Sequence, residues 1–238
     1  MQRRWHGRGL EPIAAAILGS ACAPPPELGD GIEGPIDEAR LDRSVDEGGC
    51  GYPSAGSQGY GTEVGQRLAN SGTFVLETCE GARVELSDWF CRRDDAYGDY
   101  NRGILLNIGA GWCGPCQEES VELPELYEEF HGQGIEIVQV MFQDWTGQTP
   151  TAEFCDDWVA GAWAEGEAGE PVMIPWPVIR DESFDWSSRY ISDTMAAAPV
   201  NLLVDANGNI RWQLQGQKPD LEVVRTQLEL VLADPYGG

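Results

Sequence analysis

The stretch ILLNIGAGWCGPCQEES, running from Ile104 to Ser120, sets two cysteines three residues apart directly behind a short apolar run. Ile104 to Ile108 is dense in branched residues, as a strand buried on both faces of a sheet requires. From about Cys113 to His131 the pattern turns helical, with Val121, Leu123, Leu126, Tyr127 and Phe130 as the apolar stripe and Gly132 and Gly134 as the stop. Cys113 therefore falls at the helix start, where unpaired backbone N–H groups and the helix dipole favour a thiolate. Cys116 lies one turn further in and is more enclosed. That spacing suits a two-step exchange: Cys113 attacks a substrate disulfide, and Cys116 then resolves the mixed disulfide. The pair has two other readings, half of a zinc site or a structural bridge. Zinc requires a second ligand pair, but the remaining cysteines are scattered and the two histidines are His6 and His131. We therefore expect redox chemistry carried by the chain itself, with no metal and no cofactor.

Outward from this centre, Phe74 to Leu76 and Arg83 to Leu86 flank a turn containing Gly81 and read as a hairpin. Ile135 to Phe142 is the next strand, and Thr149 as cap with Pro150 at the first helical position opens a helix through Trp158. Pro177 to Arg180 reads as a short strand and Phe184 to Tyr190 as a short helix. NLLVD and IRWQLQ, joined by Asn207-Gly208, form a second hairpin. A last helix from Asp220 to Leu232 carries Leu221, Val224, Leu228 and Val231 at helical spacing. Strands alternating with helices, then a closing hairpin and helix, give an α/β fold: a three-layer sandwich on a mixed sheet, spanning residues 61–238. Trp145, Trp158, Trp163 and Trp176 read as core packing ahead of a recognition patch.

The chain has 238 residues, with 15 Lys+Arg against 40 Asp+Glu and a net charge of -25. That charge excludes a phosphate-backbone binder, so nucleic acid is not a partner. Anionic lipid would repel it as well, which leaves an anchor as the means of membrane association. Residues 1–21 supply a route to one: Arg3, Arg4 and Arg8 precede an uncharged run from Ile13 to Ala21, in the layout of a secretory signal. The run is too short to span a bilayer as a helix. LGSAC resembles a bacterial lipobox, with Cys22 as the lipidated first residue, although Gly19 stands where Leu is usual; plain cleavage near Ala21 is the alternative. Residues 22–60, rich in Pro, Gly and acids, read as a flexible tether. With Cys22 set aside and Cys113/Cys116 assigned to exchange, Cys50, Cys79, Cys91 and Cys155 remain for two structural disulfides in an oxidising compartment. Of the three possible pairings we favour Cys50 with Cys79 and Cys91 with Cys155.

The active-site segment resembles that of thioredoxin-fold proteins, and more closely that of the exported TlpA/ResA-type thiol-disulfide oxidoreductases. The resemblance covers roughly residues 61–232, including VELSDW and Ala198-Pro199 ahead of NLLVDANGNI. It implies that Pro199 is cis and lies against the cysteines, with Ala198 and Val200 offering a backbone edge to an extended substrate peptide. Trp112, Gly114 and Pro115 complete the motif. It also implies protein thiol and disulfide substrates, a membrane electron donor of the DsbD type, and residence at the periplasmic face of a bacterial membrane.

The sequence departs from thioredoxins ahead of the motif, where Asn107, Ile108 and Gly109 replace an acid and an aromatic pair. Asn107 takes no proton from Cys116, so the base for the resolving step is unassigned. Glu118 and Glu119 are near, but acids there read first as a solvated face favouring the first helical turn. The same holds for the wider run through Glu122, Glu125, Glu128 and Glu129, whose other reading is a preference for basic partners. Gly-Pro between the cysteines matches thioredoxin and favours a reductase. The rivals are an oxidase or isomerase of the same fold, a peroxiredoxin-like peroxidase, and a Sco-type copper carrier. The peroxidase requires Thr where Ala110 stands; the carrier requires C-x-x-x-C and a His.

Overall fold

The strand behind the motif is buried along its whole length and organises everything else. In the computed structural model, which describes residues 36–42, 51–55, 59–69, 75–90, 100–161, 163, 171–191 and 198–237, it is Gly103–Ala110, here β5. All described residues fall within one unit, Gly31–Gly238. The earlier strands are β1 (Tyr60–Gly61), β2 (Arg67–Leu68), β3 (Leu76–Thr78) and β4 (Arg83–Val84). The later ones are β6 (Ile135–Gln143), β7 (Val178–Arg180), β8 (Val200–Asp205) and β9 (Ile210–Gln215). β1 and β2 pair separately; the other seven form one sheet in the order β4-β3-β7-β6-β5-β8-β9. The central β7, β6 and β5 are parallel and the flanking pairs antiparallel, which is the mixed sheet expected.

Alternation along β5 sends Ile104, Leu106 and Ile108 to one face and Leu105 to the other, so each face builds its own core. Leu105's face is covered by α2 (Gly114–Phe130), α3 (Ala152–Val159) and α4 (Leu221–Ala233), through residues such as Leu123, Leu126, Trp158 and Leu228. The other face has a thinner cover: α1 (Ser87–Phe90), Trp186 and Tyr190 around a 3-10 turn at Ser187–Arg189, and Leu68. Among the described residues no helix is long and apolar enough to cross a membrane.

Several boundaries differ from expectation. The helix placed at Thr149-Pro150 starts two residues later: Thr151 is the cap, its hydroxyl accepting from Phe154 N at 3.1 Å. The short helix at 184–190 narrows to the 3-10 turn. The closing hairpin stands as expected, with Gly208 at φ +75 where a side chain would be strained. The four tryptophans pack inward. Trp158 and Trp176 are buried, and the rings of Trp158 and Trp163 stack 4.3 Å apart.

The segment read as a tether is fastened to the domain wherever it is described. Ile36 is buried beside Tyr100, Ala206 and Tyr236, and Asp37 N donates to the Tyr236 hydroxyl at 2.6 Å. Asp42 N donates to Asn207 Oδ1 at 2.8 Å, and Arg67 pairs with Asp42 at 2.8 Å. Tyr52 packs edge-on against Phe90. Composition missed these contacts because they rest on a few spaced anchors, with no periodic apolar pattern. Residues 1–21, with the expected signal and Cys22 next to it, lie outside the described residues.

The disulfide pairing requires correction. Cys79 of the segment after β3 bonds to Cys155 of α3, not to Cys50, and Cys155 is thereby closed to Cys91. The reason is topological: β3 lies beside β7 on the sheet, and α3 packs over β7, so residues 76 apart in sequence meet in one core. Cys50 and Cys91 lie outside the described residues.

Candidate active site

Cys113 is the N-cap of α2 and Cys116 sits in its first turn, with Pro115 at the start where a missing N–H costs nothing. The two cysteines are joined in a disulfide, and the Cys116 backbone N–H donates to Cys113 Sγ at 3.2 Å. The same N–H would stabilise a Cys113 thiolate after reduction. Both sulfurs are nearly enclosed, but Trp112 beside them is 40% exposed, its indole N–H donating to Gln143 Oε1 at 2.8 Å. Its ring meets Phe142 edge-on, and Phe142 lies 4.9 Å from Phe184, a half-exposed residue at φ +61. Gln117 ties the helix back to Gly111 O at 2.6 Å.

The Ala198-Pro199 peptide is cis, and Ala198 belongs to the same core cluster as Cys113 and Cys116. Pro199 O accepts from Gly216 N, which fixes this segment against the end of β9. Gly109 is in direct contact: a Cβ there would stand 3.3 Å from Cys116 Sγ. A side chain at this position would press on Cys116, so the departure at Gly109 is part of the site's shape.

Asn107 and Glu119 differ most from the reading by composition. Glu119 lies on the buried side of α2, 1% exposed, and is no part of a solvated face. Its Oε2 accepts from Asn107 Nδ2 at 2.9 Å, and the same amide donates to Asn201 Oδ1 at 3.0 Å. Burial pushes the Glu119 carboxyl up to about 8, while the amides of Asn201 and Asn107 and the Lys218 ammonium pull the other way. Asn201 exerts this pull without completing a hydrogen bond: Glu119 Oε1 and Asn201 Nδ2 each lack a partner. Beyond Asn107 lies Gln139, whose Nε2 donates to Asn107 Oδ1 and Ser120 Oγ, both at 2.8 Å. Asn107 is in register with Gln139 on β6 and Asn201 on β8, so one polar rung crosses three strands beneath α2. The signal was available in the sequence: ILLNI, IVQVM and VNLLV each carry a single amide inside an apolar run.

The rest of the glutamate run is partly neutralised. Lys218 pairs with Glu122, and Arg225 of α4 reaches Glu125 at 2.9 Å and Glu129. A cavity of about 580 Å³, bounded by Cys79, Trp89, His131, Glu136 and Trp176, opens at the far end of the sheet and touches neither cysteine of the motif. The chemistry belongs to the disulfide and not to this larger space. Among the described residues no group of three or more His, Cys, Asp or Glu side chains is arranged to hold a metal ion.

Fold and site together define a thioredoxin-like domain with a dithiol/disulfide centre. By sequence the chain belongs to the AhpC/TSA family, whose description matches residues 64–213. It is 33% identical over 90 residues to the thiol-disulfide oxidoreductase ResA of Bacillus subtilis, a match covering 38% of this chain and 45% of that protein. The matched part is thus less than half the length of that relative. Among solved structures, a secreted thiol-disulfide isomerase from Corynebacterium glutamicum superposes with a TM-score of 0.51 at 16% identity, covering 71% of this chain and 86% of that one. Peroxidoxin BcpB from Mycobacterium tuberculosis gives 0.50 at 12% identity, covering 72% and 96%. At such identities the likeness is one of fold.

Proposed function

We propose that this protein is an exported thiol-disulfide oxidoreductase that reduces protein disulfides through Cys113 and Cys116. The observation that carries the reading is the Cys113–Cys116 disulfide at the N-terminus of α2, beside an exposed tryptophan and above a buried carboxyl. In the reduced protein the Cys113 thiolate attacks one sulfur of a client disulfide. A Cys113–client bond forms, the client bond breaks, and the departing client sulfur takes a proton. Glu119, one turn beyond Cys116, is the candidate acceptor for the Cys116 proton in its ionised form, which burial leaves as the minor form until the pH approaches about 8. The Cys116 thiolate then attacks Cys113 Sγ, the second client sulfur leaves and is protonated, and the Cys113–Cys116 bond is restored. Two electrons pass from the dithiol to the client; of the client's two protons one is the Cys116 proton, handed on by Glu119, and the other comes from solvent.

Pro199 and Ala198 position the client backbone, with Trp112 and Phe184 as the apolar surface alongside. Restoring the dithiol requires an outside reductant, for which a membrane reductase of the DsbD type is the partner this reading names. Export and a lipid anchor at Cys22 rest on the charged start, the short apolar run and LGSAC. The deciding experiment supplies the purified protein with a reductant and a disulfide-bonded client such as insulin. We expect reduction, and a potential nearer the roughly -270 mV of thioredoxin than the roughly -120 mV of DsbA. A potential at the upper value would make it an oxidase, and peroxide turnover without disulfide exchange would make it a peroxidase despite Ala110.

A further inference from the structure

The polar rung beneath α2 does not end at Gln139. Trp158 of α3, fully buried, donates its indole N–H to Gln139 Oε1 at 2.7 Å. An indole has no acceptor, so this contact admits one orientation of the Gln139 amide: oxygen toward Trp158, nitrogen toward Asn107 and Ser120. That fixes the next amide in turn. Asn107 Oδ1 is occupied as an acceptor, so its nitrogen faces Glu119 Oε2 and Asn201 Oδ1. We propose that Trp158 and Gln139 are positioning residues of the dithiol site: through a relay of fixed polarity they hold an N–H of Asn107 on Glu119 and so set that carboxyl's affinity for its proton. The proposal rests on the reading of Glu119 as the proton acceptor of the exchange.

The physical argument is one of sign. A donor aimed at a carboxylate favours the ionised form, whereas a carbonyl oxygen aimed at it favours the protonated form. Without the indole or the Gln139 nitrogen, the Asn107 oxygen loses its fixed donor. Apart from Glu119 itself, the amide is then held only by Asn201 Oδ1, whose own nitrogen has no partner and whose amide can turn with it to let Asn107 present its oxygen. The charges that otherwise bear on Glu119 are Glu122 of its own helix and Lys218 from the segment ahead of α4. Among the described residues, the strands beneath contribute the amides of Asn107, Gln139 and Asn201, and α3 contributes the neutral Trp158. Neither charge belongs to the relay. α3 is itself held in place, since Cys155 one turn before Trp158 is bonded to Cys79.

The test is an infrared titration of the oxidised full chain, taking the protonated carboxyl band lost in Glu119→Gln as the Glu119 signal. Trp158→Phe and Gln139→Leu should each move the midpoint up by about one pH unit. Trp163→Phe, which alters the ring stacked on Trp158 but removes none of the side-chain hydrogen bonds of the relay, should leave it in place. Where Trp158→Phe does not fold, Gln139→Leu, close in volume to the parent, reads the same quantity. Unchanged midpoints in the relay variants, or an equal shift in Trp163→Phe, would overturn the proposal. The pH profile of insulin reduction should follow the midpoints. Shifted midpoints in a protein that exchanges no disulfides would leave the relay standing and remove the proposed function instead.

Discussion

The two disulfides of the described structure are built from the same chemistry and placed for opposite ends. Cys113–Cys116 closes a loop of three residues at a helix N-terminus, next to exposed Trp112 and a carboxyl that holds a proton near neutral pH. Cys79–Cys155 closes 76 residues, ties β3 to α3, and lies in the core among Trp158, Trp176 and Val178. Loop-closure entropy assigns the long crosslink about 4 kcal/mol of stabilisation and the short one less than about 2 kcal/mol. What distinguishes a bond that opens from one that holds is its surroundings. A backbone donor and a nearby proton acceptor serve the first, and burial among apolar side chains serves the second.

Substitution should separate the two most sharply at the motif. Cys113→Ser is expected to reduce client exchange to the uncatalysed background, while Cys116→Ser keeps attack and accumulates mixed disulfides, visible on non-reducing gels and reversed by dithiothreitol. Both variants should keep the parent's melting temperature to within a few degrees. Equal trapping by the two would reverse the assigned roles.

Changing Cys79 and Cys155 together to serine should do the converse, lowering stability by about 4 kcal/mol in denaturant titrations. Exchange per folded molecule should stay within about twofold, as expected for residues with no part in the chemistry. A loss of turnover as large as that of Cys113→Ser would make this bond a second reaction centre.

The third expectation concerns pH. Because folding raises the Glu119 carboxyl from about 4.5 to about 8, the native state is favoured while that group is protonated, and this advantage is lost as pH rises through the folded value. Glu119→Gln has no charge to bury. It should match the parent near pH 4 and exceed it above pH 8 by as much as about 4 kcal/mol, measured by denaturant midpoints across that range. The same variant should slow the resolving step by on the order of a hundredfold. Identical stability profiles would show that the carboxyl is solvated.

The smallest effect belongs to Lys218→Gln. Its ammonium is the last of the influences holding the Glu119 value down, so removal should raise the Glu119 midpoint by less than disrupting Asn107 does. The shift should vanish at high salt, because Lys218 is partly exposed. A shift that persists in high salt would place the charge inside the site.

Much of this architecture was legible because it is periodic or local. β5, β6, α2, α4 and the closing hairpin announce themselves through apolar spacing and turn residues, and C-G-P-C names its own chemistry. Glu119 was hidden by its company: five neighbouring glutamates on α2 face solvent or cations, and only tertiary packing shows that the sixth is beneath the helix. The Cys79–Cys155 bond was hidden because sequence order says nothing about which strand a hairpin joins. Thr151 displaced Thr149 as the cap because two threonines flank Pro150, and composition does not choose between them.

The fastening of residues 36–42 has a consequence for orientation. They grip Asn207 and Tyr236, next to the β8–β9 turn, and that turn adjoins Asp205, which pairs with Gly103 at the start of β5. The dithiol follows Ala110 at the other end of the same strand, about 25 Å away. Whatever precedes residue 36 therefore joins the domain at its rear. A force applied at residue 36 would load the hairpin turn before it reached the cysteines.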